Sequence, residues 1–169
     1  TLHFEHGENI GGLKKEPAPA KAKTGTVQRW KPDLEVFTDI NIPLEHFQNI
    51  LRRQSMTNAG IKFVLFNETA EGMELYEYYY EHGIIDYLGE CVGDKGFTTI
   101  EVWDAERKGR DRADQPDYRV KMQIAFCFSN SVNMLEYYHN SSYLEHGGAP
   151  DKAVRNAFVY AIDQYLKQN

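Results

Sequence analysis

Residues 118–128 alternate strictly between apolar and other side chains, and this pattern constrains the fold more than any other stretch. Successive side chains of a β-strand point to opposite faces of the sheet, so the pattern predicts a strand with one face on a hydrophobic core. That face must be covered by a second layer of secondary structure, which the chain has to supply. The side chains expected on the core face are Tyr118, Val120, Met122, Ile124, Phe126 and Phe128.

Three segments carry apolar residues at the spacing of an α-helix. In the first, Pro43 suits the first helical position and Gly60 suits the C-terminal cap. Residues 83–92 form the second, and Asp151 caps the third, which runs to Lys167. The apolar face of the first helix consists of Leu44, Phe47, Ile50 and Leu51.

Runs of aromatic and β-branched residues predict the remaining strands, at residues 2–4, 26–30, 61–66, 74–80 and 97–103. Residues 61–66 have almost no polar side, so we expect that strand to be central. The order of elements indicates an α+β or α/β class with one mixed sheet. We expect a two-layer α+β fold with the first and last helices on one face of that sheet. The expected core comprises Phe47, Leu51, Phe126, Phe128, Phe158 and Ile162.

Charge and cysteine content exclude several classes of protein. The formal net charge of −6 over 169 residues argues against a free-standing nucleic-acid binder that works through a basic patch. Cys91 and Cys127 are far apart, which fits a reducing, cytoplasmic compartment and argues against a disulfide framework or a zinc site. The sequence has no apolar run near the ~18 residues of a membrane span. Residues 14–23, rich in Lys, Pro and Ala, predict a solvated loop.

Patterns for catalysis and metal binding give few candidates. Neither a G-x-S-x-G elbow nor a phosphate-binding P-loop is present, so we assign no catalytic residue. His3 and His6 point to opposite faces of a strand, so we expect no shared metal. Arg52 and Arg53 are adjacent and lie off the apolar stripe, which makes them the best DNA-facing candidates. A solvated helix face is the alternative explanation for both arginines.

Five segments of the sequence form a recognisable series: HFEHGENIGGL (3–13), TGTVQRWKPDLEVF (24–37), LEHFQNILRRQSMTNAGIKFVLFNE (44–68), YEHGIIDYLGECV (80–92) and residues 118–167. In this order they resemble the ATPase subunit family of type II DNA topoisomerases, the gyrase B and topoisomerase IV B family. The sequence departs from the family pattern where His82 replaces a glycine, where His146 interrupts a Glu-Gly-Gly turn, and where Gln28 replaces an aliphatic residue.

The resemblance implies a fragment with two parts. Residues 1–38 would be the last strands of an incomplete GHKL ATPase domain, and residues 39–169 a transducer domain without its C-terminal Gln-Thr-Lys loop. The transducer fold is shared with a ribosomal small-subunit protein and with GHMP kinases. The family's catalytic Glu and Mg²⁺-binding Asn would precede Thr1, so ATP and Mg²⁺ belong to the full-length protein and none is expected here. Thr26, with Gly25, would lie on the adenine side of the ATP pocket.

The function that the resemblance implies is mechanical. The transducer would relay ATP binding and hydrolysis to DNA strand passage in an ATP-dependent isomerase, and the fragment alone would be inactive. Its partners would be a gyrase A-type cleavage subunit, double-stranded DNA and a second gyrase B-type protomer, with no membrane. The alternative is a stand-alone α+β binding module of the same fold without ATPase activity.

Overall fold

The computed structural model describes residues 1–21 and 23–168. Ala22, in the predicted solvated loop, and Asn169, at the end of the predicted transducer domain, lie outside the described residues. The chain divides into two compact units, Thr1–Asn41 and Ile42–Asn169. Among the described helices, none combines the length and the apolar character that crossing a membrane requires.

The first unit contains a single short hairpin among its described residues. Strands β1 (Phe4–Glu5) and β2 (Glu8–Asn9) pair antiparallel around a turn in which His6 and Gly7 both have positive φ, 48° and 83°. The strand predicted at residues 26–30 is wrong, because these residues form no ladder and Val27 is 94% exposed. An apolar residue with no partner strand gains nothing from an extended conformation, so propensity alone does not make a strand here.

The second unit begins with what we call the α1 layer. It consists of α1 (Leu44–Thr57), β3 (Phe63–Thr69), β4 (Gly72–Tyr78) and α2 (Ile84–Val92). Strands β3 and β4 form an antiparallel hairpin, and α1 packs on both strands and on α2. The buried side chains of this layer are Ser55, Met56, Leu65 and Val92.

The predicted ends of α1 agree with the structure to within two residues. Pro43 lies at the N-cap rather than at the first helical position, where its missing N–H still costs no hydrogen bond. Asn58 is the C-cap, and Gly60 follows with φ +77°, a left-handed conformation that glycine adopts without strain. The predicted second helix is also confirmed as α2.

The second half of this unit contains what we call the α3 layer. Strands β5 (Glu101–Gly109) and β6 (Tyr118–Phe126) form a long antiparallel hairpin, and α3 (Gly148–Gln168) follows the short hairpin of β7 (Tyr138–His139) and β8 (Ser142–Tyr143). The Phe158 ring of α3 lies 5.2 Å from the Phe126 ring and 6.4 Å from the Phe128 ring, centroid to centroid. The core face predicted for the alternating segment is confirmed only at Ile124 and Phe126, which are half-buried. The other four side chains expected there are 41% to 55% exposed: Tyr118, Val120, Met122 and Phe128.

The expected single mixed sheet is wrong. The described strands form four separate antiparallel pairs, each between neighbours in the chain, and β3 is a hairpin strand rather than a central one. The expected core is divided accordingly, because α1 packs on β3 and β4 whereas Phe158 meets Phe126 and Phe128. Ile162 is 55% exposed and lies outside both groups. Hairpin pairing satisfies each strand locally, without the long crossover that a parallel neighbour needs.

Candidate functional site

Arg52 lies at the centre of a polar group that joins α1 to α2. Its Nε donates a hydrogen bond to the Tyr80 hydroxyl at 3.1 Å, and its Nη2 forms an ion pair with Glu90. Tyr80 in turn donates its hydroxyl proton to Glu90 Oε2 at 2.7 Å. The hydrogen bond with Tyr80 is the main cause that raises the pKa of Arg52 above its usual value. The guanidinium is therefore held in place by two partners on the same side of α1.

Arg53, the next residue, points to a different element. Its Cζ lies 4.2 Å from the centroid of the Tyr143 ring in β8, a cation–π geometry. The Tyr143 ring lies 5.5 Å from the Tyr138 ring in β7. Arg52 similarly lies over the Tyr87 ring of α2, at 5.7 Å. Two adjacent arginines therefore anchor α2 and the β7–β8 hairpin to the same turn of α1.

Glu136 connects Tyr87, over which Arg52 lies, to Tyr138, the ring neighbour of Tyr143. Tyr87 donates its hydroxyl to Glu136 Oε1 at 3.4 Å, and Tyr138 donates to Glu136 Oε2 at 2.6 Å. Burial is the main cause that raises the pKa of both tyrosines, and the nearby Glu136 charge adds to it. Both hydroxyls therefore stay protonated and act as donors. We call this group the Glu136 cluster: Arg52, Arg53, Tyr87, Glu136, Tyr138 and Tyr143.

The contacts of the Glu136 cluster suit a structural role, the connection of neighbouring elements. Its carboxylate already accepts two hydrogen bonds, and its hydroxyls point at that carboxylate. Each carboxylate oxygen accepts one tyrosine hydroxyl, so the two hydrogen bonds fix the orientation of the carboxylate. The arrangement holds three elements together.

The two predicted DNA-facing arginines differ in what they can still bind. Arg52 is engaged by a carboxylate, whereas Arg53 lies against the uncharged Tyr143 ring. An arginine over an aromatic ring keeps its full charge and several donors for an anion. The structure thus brings the two residues into one cluster but gives them different environments.

Thr26 and Gly25 lie in an exposed, irregular stretch of the first unit. A nucleotide pocket buries most of its ligand. The described residues around Thr26 do not provide such enclosure.

Three side chains of the first unit have metal-ligand spacing. Ligand atoms of His6, Asp33 and Glu35 lie within 4.8 Å of one another, with Asp33 half-buried and the other two exposed. His6 thus approaches two carboxylates from a distant part of the chain, and no sequence pattern gave a signal for this. Exposed carboxylates gather often without an ion, so the grouping alone assigns no metal.

Most members of the Glu136 cluster were missed by sequence reasoning. Tyr87 and Glu136 are 49 positions apart, and a second contact, from Asn58 Nδ2 to Ser141 Oγ at 3.0 Å, spans 83 positions. No periodic pattern links residues at such separations. The sequence does show many tyrosines, but this composition fits side-chain packing as well as a polar cluster that connects elements.

Comparisons with known proteins identify the family. The family model described as DNA gyrase B matches residues 83–169. The DNA gyrase B protein of Mycoplasma genitalium is 22% identical over 99% of this chain, and that of Synechocystis is 30% identical over 98%. The DNA topoisomerase 4 B protein of Enterococcus faecalis is 21% identical over 98%.

This chain is much shorter than these relatives. It spans 26% of the Mycoplasma protein, 23% of the Enterococcus protein and 15% of the Synechocystis protein. No solved structure matches the chain at a significant level. The family match extends over about half of the chain and contains most of the Glu136 cluster, namely Tyr87, Glu136, Tyr138 and Tyr143. The chain therefore belongs to the DNA gyrase B family.

Proposed function

We propose that this chain is a segment of the gyrase B-type component of a bacterial type II DNA topoisomerase. The observation that carries the proposal is the family match at residues 83–169, together with relatives aligned over almost the whole chain. The relatives are named as the B components of gyrase and of topoisomerase 4. The full protein would be an ATP-dependent isomerase that passes one DNA duplex through another.

The role of this segment would be to relay ATP binding and hydrolysis to strand passage, as a transducer domain at residues 39–169. A relay needs packed elements with more than one arrangement. Two helix-on-hairpin layers joined by polar contacts support this role. In the α1 layer, α1 packs on the β3–β4 hairpin and on α2, whereas in the α3 layer α3 meets the β5–β6 hairpin at the rings of Phe158 and Phe126, and each layer would act as a body.

The nucleotide side of the proposal rests on residues 1–38 as the last strands of a GHKL ATPase domain. Thr26 and Gly25 would contribute to the adenine side of an ATP site whose other walls belong to the longer protein. A threonine hydroxyl both donates and accepts, which suits contact with a base edge through water. Bound ATP with Mg²⁺ would supply the phosphoryl chemistry, and this chain's residues would supply one wall.

The partners of the full protein would be a gyrase A-type cleavage subunit, double-stranded DNA and a second gyrase B-type protomer. Arg53 is the better DNA-facing candidate of the arginine pair, because Arg52 is already paired with Glu90. If Arg53 contacts a phosphate, its removal would weaken DNA binding without changing sequence preference.

The test uses the native protein that carries this segment. An antibody against the charged loop at residues 110–117 would isolate it from cells, and its mass and ATP-dependent DNA relaxation would be measured. We expect a polypeptide about four times longer than this chain, given the 26% coverage of the Mycoplasma relative, with ATP-dependent strand passage once a cleavage subunit is added. A native product of about this chain's length with no effect on topology would overturn the proposal and favour the binding module.

A further inference from the structure

The contacts of the Glu136 cluster form a closed circuit. Arg52 of α1 lies over the ring of Tyr87 of α2, and the Tyr87 hydroxyl donates to Glu136. Glu136 then leads to Tyr138, Tyr138 to Tyr143, and Tyr143 back to α1 through Arg53. Three elements are therefore tied pairwise, and each tie is a directional hydrogen bond or a ring contact.

The segment that this circuit holds has little else to hold it. Residues 129–147 contain only the two-residue strands β7 and β8 as regular structure, and every residue in the range is half-buried or exposed. Leu135, the neighbour of Glu136 in the chain, is 59% exposed. Burial in this range is only partial, so the polar contacts of the cluster, with the Asn58–Ser141 hydrogen bond, contribute a large part of the attachment to α1.

The circuit depends on Glu136, because its one carboxylate accepts a hydrogen bond from each of the two tyrosines. If it releases them, Tyr138 loses its carboxylate partner and Tyr87 keeps only its interaction with Cys91, so the direct link between α2 and the β7–β8 side is lost. A closed circuit opens more cooperatively than a row of independent contacts, since each tie fixes the geometry of the next.

We propose that the Glu136 cluster is a latch. Closed, it holds residues 136–143 on α1 and α2; open at Glu136, it releases that segment as one unit while α1 and the β3–β4 hairpin stay folded. Residues 144–147 connect this segment to α3, which begins at Gly148. Opening the latch would therefore uncouple the start of α3 from α1. The inference rests on the contacts of this chain and stands or fails apart from the proposed topoisomerase function.

The experiment is hydrogen exchange with mass spectrometry on the purified chain, comparing the wild type with Glu136→Gln. The amide keeps the shape but loses the charge that accepts two hydroxyl protons. We expect exchange in residues 136–143 to rise about tenfold, with residues 44–57 unchanged, because hydrogen bonds to charged groups set the local opening equilibrium. Unchanged exchange in residues 136–143, or an equal rise across the whole chain, would overturn the latch.

The control is Glu74→Gln. Glu74 also accepts a tyrosine hydroxyl, from Tyr76 at 3.1 Å, and an amide proton from Asn67 at 2.9 Å, but all three residues belong to the β3–β4 hairpin, outside the Glu136 cluster. We expect this variant to leave exchange in residues 136–143 at the wild-type level. A rise there equal to that of Glu136→Gln would mean that any lost carboxylate has this effect and would overturn the proposal.

A milder variant and a double variant keep the test decisive if Glu136→Gln folds poorly. Tyr138→Phe removes one hydroxyl but keeps the ring beside Tyr143. A circuit predicts that adding Arg53→Gln to Tyr138→Phe raises exchange little beyond the single variant, because the circuit is already open. If the two effects multiply instead, the contacts are independent and the latch is wrong.

Discussion

The α1 layer and the α3 layer use the same plan, one helix on one hairpin, yet they bury very different amounts. The α1 layer contains Ser55, Met56, Leu65 and Val92 as buried residues, whereas no residue of α3 between 148 and 168 is buried. The difference follows from the number of partners. α1 contacts both strands of its hairpin and α2, while α3 meets its hairpin mainly through Phe158. Burial is therefore set by how many elements converge, and a regular apolar pattern alone does not produce it.

The two hairpins also differ in the polarity of the face that no helix covers. On β3–β4, Phe66 and Leu75 are cross-strand partners and are 64% and 55% exposed. On β5–β6, the corresponding face carries Asp104 opposite Gln123 and Glu106 opposite Lys121. Antiparallel hairpins with one polar face are suited to water on that face. At these positions, the uncovered face of the β3–β4 hairpin is therefore more apolar than that of the β5–β6 hairpin.

The largest expected effect tests the packing of the α1 layer. Leu65→Ala should destabilise the fold by about 3 kcal/mol, because it removes a side chain that is only 9% exposed under α1. The matched control is Phe66→Ala on the opposite face of the same strand, which should cost well under half as much. Urea denaturation monitored by circular dichroism measures both, and equal losses would show that the two faces of β3 are not distinguished by burial.

Gly83→Ala should come next, at about 2 kcal/mol. Gly83 has φ +64°, and a Cβ there would lie 2.8 Å from the Met56 carbonyl oxygen, so the α1–α2 junction would have to shift. The control is Gly93→Ala, where φ is +55° but open space surrounds the position. The difference between the two melting temperatures isolates the clash from the backbone strain, and no difference would mean that α1 and α2 are not packed tightly at this point.

Phe158→Ala tests the α3 layer and should cost about 1.5 kcal/mol, less than Leu65→Ala, because Phe158 is only half-buried. What it loses is edge contact with the rings of Phe126 and Phe128. Val159→Ala, at a side chain 69% exposed, should be close to neutral. A loss from Phe158→Ala that exceeds the one from Leu65→Ala would reverse the comparison between the layers.

The smallest expected effect is a pH dependence in the stability of the α1 layer. The His82 backbone N–H donates to Asp86 Oδ2 at 2.7 Å and is the main cause that lowers the pKa of Asp86 below its usual 3.8. A lowered carboxyl pKa stabilises the fold above pH 3.8, and this contribution disappears as pH falls through the folded-state value. Asp86→Asn should therefore cost about 0.5 kcal/mol at pH 7 and nothing at low pH.

His82→Ala provides the control for Asp86, because it keeps the donating backbone N–H and removes only the imidazole. Thermal melts between pH 2 and pH 7 would compare the two variants. A pH dependence of His82→Ala that matches that of Asp86→Asn would assign the effect to the His82 side chain.

Local elements of this fold could be predicted from the sequence, and their assembly could not. The helices at residues 44–57 and 84–92 follow from apolar spacing and from Pro43 and Gly60, all signals within a few residues. The last helix was predicted from Asp151 and begins three residues earlier, at Gly148. The strand at residues 97–103 was predicted near the right place, but the structure shifts it to Glu101–Gly109.

The pairing of strands and the Glu136 cluster depend on contacts between distant residues. Alternation at residues 118–126 shows that β6 has a core face, but it does not show whether its neighbour is β5 or β3. Arg52 and Arg53 stood out in the sequence because they are charged and lie off the apolar stripe. Both arginines exposed to solvent and arginines that connect two elements meet that description. Their partners Glu90 and Tyr143 lie on other elements, and only the fold brings them together.

The pairing of each described strand with its neighbour in the chain also bears on how the molecule forms during synthesis. Contacts between near neighbours close short loops, which favours rapid folding. The α1 layer is complete at Val92, before the ribosome has made the hairpin of residues 101–126. It can therefore fold while the rest of the chain is still being translated, with Phe66 and Leu75 on its exposed surface.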